Sequence, residues 1–93
     1  MKKYYVEKIE NVEIFVNEVI LNAVSNNASD IHFEPREDNF YIRYRIDGEL
    51  IDIYKIENTN APIIISRIKI ISKMDITIKR MPQDGRLDFD FNY

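Results

Sequence analysis

The sequence has no cysteine, so neither a disulfide framework nor thiol chemistry is open to it. It has two glycines, Gly48 and Gly85. Two glycines cannot build a phosphate-cradling G-x-x-x-x-G-K-[S/T] loop, and that motif is absent. His32 is the single histidine, and no serine stands where it would serve as base, so nucleophilic catalysis has no visible machinery. Long apolar runs are missing too. The longest, around Pro62–Ile65, falls far short of the roughly 20 residues of a membrane-spanning helix. The start, Met1-Lys2-Lys3, carries charge but no apolar stretch behind it, unlike a signal peptide. Positive charge is not in surplus. At a net charge of −3, the chain lacks the electrostatic basis of nonspecific nucleic-acid binding, and no nucleic-acid partner is expected.

What is present suits one small globular domain: 93 residues, 45% hydrophobic and 31% charged. The clearest periodicity lies in residues 11–26. Val12, Phe15, Val16, Val19, Ile20, Ala23 and Val24 form one stripe of an amphipathic helix. Asn11 is placed to cap its start, and Asn26-Asn27 to end it. Ile14 and Leu21 fall off the stripe. They fit either a helix covered on a second side or a contact with a neighbouring domain or subunit. Residues 1–10 read as an N-terminal tether.

"DIHFEP" (30–35) reads as a short strand ended by Pro35, with Ile31 and Phe33 on one side and His32 and Glu34 on the other. "NFYIRYRIDGELIDIYK" (39–55) reads as a hairpin turning at Asp47-Gly48. In that register Ile46 opposes Glu49, Tyr44 opposes Ile51 and Ile42 opposes Ile53. On the other face Arg45 opposes Leu50, Arg43 opposes Asp52 and Tyr41 opposes Tyr54. A one-residue slip would lose both the apolar face and the Arg43–Asp52 pair. "NTNAPIIISRIKIISK" (58–73) has the isoleucine density of a strand. Arg67 and Lys69 break the alternation, Pro62 suits a first helical turn and Thr59 or Asn60 supplies a cap, so it is assigned to a helix. Residues 74–86 read as a loop or helical turn, and 86–92 as a further strand. The expected fold class is α+β, in the order α-β-β-β-α-β. The chain stops on that last strand, which fits either a domain complete there or a piece of a longer protein.

Asp30, His32 and Glu34 share a strand face but lack the second histidine or the thiolates of a zinc site, so His32 is expected to bond a neighbouring carboxylate or backbone group. Asp88 and Asp90 read as the solvated face of the last strand. Of the six arginines, Arg80 and Arg86 flank a Pro-Gln-Asp-Gly turn that is more polar than a turn requires. A turn fixed by Pro82 and Gly85 can hold an arginine toward a partner.

Four stretches, "ASDIHFEP" (28–35), "IRYRIDGEL" (42–50), "SRIKIISKMDIT" (66–77) and "RMPQDGR" (80–86), occur in an order and spacing that resemble a known family. The resemblance is to the segment just upstream of the nucleotide-binding core of type II secretion and type IV pilus assembly ATPases, and it covers about residues 9–90. It implies a PAS-like N-terminal module over 11–93, cut before a RecA-like domain that carries the phosphate loop. It further implies a homo-hexameric ring in which each module packs on the RecA-like domain of the same or a neighbouring subunit. By the same resemblance the larger protein uses ATP and Mg²⁺, works on the cytoplasmic side of the inner membrane and meets secretion or pilus platform proteins. No cofactor is expected in this segment, and it should not hydrolyse ATP alone.

Residue by residue, Asp30, His32 and Glu34 match the S-D-I-H-x-E strand, and Arg43, Asp47 and Gly48 match the R-x-R-x-D-G hairpin. These are expected to be architectural, together with Gly85. Arg67 and Lys69 match S-R-I-K, and Gln83, Asp84, Gly85 and Arg86 match Q-D-G-R. Arg67, Lys69, Arg80, Gln83, Asp84 and Arg86 are the expected contacts between domains or subunits. Further arginines of the family that reach nucleotide lie in a segment this sequence does not contain. The family often has glycine before "ASDIH"; Asn27 stands there, the other residue that accepts a left-handed helix cap. The family sheet continues past Arg86, so an unpaired strand edge and a strand-edge homodimer are expected of the isolated segment. The alternative function is a free-standing PAS-like module for a small ligand or a protein, for which the sequence supplies no convergent polar group in the core.

Overall fold

The computed structural model describes residues 1–71 and 85–91 in full and residues 77–81 as backbone. The elements are β1 (Tyr4–Val6), α1 (Val12–Ser25), β2 (Asp30–Pro35), β3 (Phe40–Ile46), β4 (Glu49–Ile56), α2 (Ala61–Ile71), β5 (Thr77–Met81) and β6 (Arg86–Asp90). The strands form one sheet in the order β1-β4-β3-β2-β6-β5. The β1–β4 pairing is parallel and the others are antiparallel. The fold is α+β, as the patterning implies.

Asn11 caps α1 as expected, its Oδ1 accepting the Ile14 N–H at 3.1 Å. At the other end Asn27 adopts a left-handed backbone, with φ of 58°. Asn27 N–H donates to the Val24 carbonyl and Ala28 N–H to the Ala23 carbonyl. This double closure ends the helix and turns the chain into β2. Val16, Val19 and Ala23 are buried, whereas Val24 is exposed, so the working stripe is narrower than the sequence suggests. Ile14 and Leu21 are exposed, so no second cover lies over them among the described residues.

The β3–β4 hairpin turns through Asp47 and Gly48, both with positive φ, as a two-residue turn of the favoured hand requires. The expected register holds from Ile46↔Glu49 through Arg43↔Asp52. It then shifts at a bulge, so that Ile42 faces Tyr54 and Tyr41 faces Lys55. The bulge carries Tyr54 to the core side, where it stacks on Tyr4 and meets Phe15 and Tyr44 edge-on. A strict alternation could not anticipate the extra residue.

In α2, Ile64, Ile68 and Ile71 point into the core, while Ile63 and Ile70 are exposed. Burying each such isoleucine contributes about 1.5–3 kcal/mol. A short 3₁₀ turn, Asn58–Asn60, precedes the helix. The Asn60 side chain does not cap it. Its Oδ1 accepts the Ile9 N–H, and its Nδ2 donates to the carbonyls of Glu7 and Glu57, each at 3.0 Å.

That clamp changes the reading of the N-terminus. Tyr4–Val6 is a strand rather than part of a free tether, and Ile9 is buried. Three residues are too few for a period to show, and the strand exists because β4 offers its edge. The stretch expected as a loop before Gln83 likewise contains β5, paired with β6 from Thr77↔Asp90 to Met81↔Arg86. Its five residues hold two cations and no clean alternation, so pairing rather than propensity makes the strand. Gly85 therefore stands directly before β6, which pairs with β5. The edge expected beside β6 is occupied by β5, and the sheet's outer strands are β1 and β5.

Candidate functional site

Strand alternation gives the sheet two unlike faces. Ile31 and Phe33 on β2, Phe40, Ile42 and Tyr44 on β3, and Leu87 and Phe89 on β6 are buried in the core. The Tyr44 hydroxyl donates to the Val19 carbonyl of α1 at 2.5 Å, which fixes this as the helix-covered face. Burial pushes the Tyr44 phenol well above its ordinary value.

The intervening residues place charge on the other face. Asp30 faces Arg45, His32 faces Arg43, and Asp88 on β6 faces His32 from the opposite side. The result is two connected ion-pair chains. In the first, Arg43 Nε lies 2.7 Å from Asp52 and Arg43 Nη1 lies 3.3 Å from Glu34, which also holds Arg36 at 3.1 Å. In the second, Arg45 Nε lies 3.2 Å from Asp30, Asp30 meets His32 Nε2, His32 Nδ1 lies 2.9 Å from Asp88, and Arg86 Nε lies 3.0 Å from the same Asp88 oxygen.

His32 is only 5% exposed, with charged neighbours on three strands around the ring. Burial pushes the Asp30 carboxyl up, but the Ser29 hydroxyl, His32 and Arg45 outweigh it and hold Asp30 below the ordinary carboxylate range. Among the described residues, no group of three or more histidine, cysteine, aspartate or glutamate side chains is placed to share a metal ion.

The motif residues sort unevenly. Asp30, His32, Glu34 and Arg43 meet on the charged face, and Arg86 joins them there. Asp47 and Gly48 form the β3–β4 turn, where the Gly48 carbonyl accepts from Arg45 at 3.2 Å. Gly85 has φ of 72°, which is the reason for glycine, since an added Cβ would meet only Pro35 at ordinary contact distance. Arg67 does not belong to this cluster. It lies on α2, half-buried, with Glu13 of α1 at 3.7 Å, in an open cleft with Val12, Ile63 and Ile70. Lys69 is in the last turn of the same helix, where its charge suits the helix dipole. Arg80 is register-paired with Leu87, and its side chain lies outside the described residues, as do Gln83 and Asp84.

Two contributors were not legible beforehand. Asp88, expected on a solvated face, is buried between His32 and Arg86. Arg45 supplies the counter-charge to Asp30. Asp88 could be found only by knowing that β6 pairs with β2, a contact between distant parts of the chain. His32 does bond a carboxylate, that of Asp30, and a second, that of Asp88, lies within ion-pair range.

Residues 6–93 match the family described as Type II/IV secretion system protein. The chain is 44% identical over 72 residues to the Type II secretion system protein E of Pectobacterium carotovorum subsp. carotovorum, covering 77% of this chain and 14% of that protein. It is 44% identical over 73 residues to the Type IV pilus assembly ATPase PilB of Acinetobacter baylyi, covering 78% of this chain and 13% of that protein. It is 45% identical over 83 residues to the Protein transport protein HofB homolog of Haemophilus influenzae, covering 89% of this chain and 18% of that protein. The chain thus spans less than one fifth of the length of these curated relatives.

Proposed function

We propose a role for this chain from one premise: it belongs to the Type II/IV secretion system protein family. The role is that of a non-catalytic, PAS-like module of a motor ATPase for type II secretion or type IV pilus assembly. It sits beside the RecA-like domain of its own or a neighbouring subunit in a six-membered ring and passes nucleotide state into movement between subunits. On this reading the motor works in the cytoplasm, against platform proteins of the inner membrane. Among the described residues, no helix is long and apolar enough to cross a membrane.

The observation that carries this reading is convergence. Three motifs far apart in the chain bring Asp30, His32, Glu34, Arg43 and Arg86 onto one sheet face, where ion pairs rather than packing fix their geometry. That is a fixed, directional surface of charge. ATP and Mg²⁺ belong to the core of the larger protein. Both glycines here serve turns, so these residues do not fit a phosphate cradle, and no step of hydrolysis is assigned to them. The small-ligand alternative gains no support from a core whose buried tyrosine hydroxyl is already bonded to backbone.

The test is a chimaera in which this chain replaces the matching segment of the Acinetobacter baylyi pilus ATPase. ATP turnover should survive the exchange. Arg86→Ala in the chimaera should then lower turnover several-fold while leaving the module folded. Unchanged turnover would remove Arg86 from the interface.

A further inference from the structure

We infer that His32 and Asp88 are positioning residues for Arg86, and that the charge of the His32 ring sets how firmly the Arg86 guanidinium is held. This rests on the reading that Arg86 is a contact residue.

Asp88 Oδ1 is shared: His32 Nδ1 lies 2.9 Å from it and Arg86 Nε 3.0 Å. All three atoms are buried, and none meets hydrogen-bond alignment in this contact. The attraction among them is therefore Coulombic, and its strength follows charge rather than angle. Both ring nitrogens of His32 face carboxylate oxygens, Nε2 that of Asp30 and Nδ1 that of Asp88. A neutral imidazole donates from one nitrogen only. Its other nitrogen would then present a lone pair to a carboxylate. With both nitrogens protonated, the ring binds both carboxylates, and as a second cation on the same Asp88 oxygen it weakens that oxygen's hold on Arg86.

The charged groups around the ring are Asp30 and Glu34 on its own strand, Arg43 and Arg45 on β3, and Arg86, Asp88 and Asp90 on β6. Arg45 neutralises Asp30, and Arg43 is engaged by Glu34 and Asp52. Asp88 is thus the carboxylate through which a change at His32 reaches Arg86. Seated on the pairing of β2 with β6, the ring transmits its protonation state to the end of a different hairpin.

The experiment is side-chain NMR of the 93-residue chain, following the Arg86 Nε–H and His32 ring signals together from pH 8 to pH 5. The readout is the rate of Arg86 Nε–H exchange divided by that of Arg43 Nε–H, which is held by Asp52 and removes the hydroxide-catalysed slowing common to every N–H as pH falls. The expected result is that this ratio rises as the ring gains its proton, with the same midpoint. In His32→Asn the ratio should stay at the low value of the neutral-ring parent and lose its pH dependence. In Asp88→Asn, which removes the shared carboxylate, it should be about tenfold higher than that and equally flat, as fits loss of an interaction with a charged group. An Arg86 signal that ignores the His32 titration in the unaltered chain overturns the inference, whether or not the variants fold. Equal changes at Arg43 also overturn it, because they would mean general loosening. Neither readout depends on ATP turnover, so failure here is separate from failure of the chimaera.

Discussion

The two faces of one sheet are built from neighbouring residues and held by different physics. Ile42 and Arg43 adjoin in β3. Ile42 is fully buried under the helices, whereas Arg43 is about a quarter exposed and held by two carboxylates. The covered face gains its stability from apolar area removed from water. The charged face gains little net energy from its exposed pairs, since solvent screens them and ordering long side chains costs entropy. What it gains is fixed direction. One face makes the domain fold, and the other fixes where its charges stand.

The comparison is broken most strongly at the core. Ile42→Ala should lower unfolding free energy by about 2–5 kcal/mol, read from urea unfolding, because the cavity adds to the lost transfer energy. Next is Asn60→Ala, which strips the partner from the Ile9 N–H and from two carbonyls and should cost about 2 kcal/mol. Hydrogen exchange of the Ile9 amide should accelerate with it. A third test uses Tyr44. Its folded-state phenol is raised above the ordinary 10.0, so its contribution is intact below pH 10 and declines as pH rises beyond that. Thermal midpoints between pH 9 and pH 11 should show that loss, and Tyr44→Phe should flatten it. Arg43→Ala should cost about 1 kcal/mol or less, so a penalty near that of Ile42→Ala would refute the division of labour. Smallest is Asp30. Its folded-state carboxyl is lowered, so its contribution is present above pH 3.8 and is lost as pH falls below it. Asp30→Asn should flatten the acid limb of the stability profile.

The fold was legible wherever a period had room to repeat. α1 showed its stripe over four turns, and the β3–β4 turn announced its own register. Legibility failed where three or five residues made a strand only because a partner edge was waiting, as in β1 and β5. It failed in part at the bulge, where one extra residue reversed Tyr54. On the charged face, Asp30, His32 and Glu34 were visible as a set, since alternation along one strand is local. Asp88 was not, because the side chain facing it comes from a strand more than fifty positions earlier. Arg67 and Arg86 looked equivalent as arginines beside motifs, yet the topology sends one to the helices and the other to the open face of the sheet.

The β2–β6 pairing has a kinetic consequence as well. It joins Asp30 to Asp90, some sixty positions apart, while the β3–β4 hairpin joins close neighbours. Loop closure of that span must be overcome before its contacts can reward it. The hairpin is therefore expected to form early and the His32 seam to close late, making this line across the sheet the last to assemble.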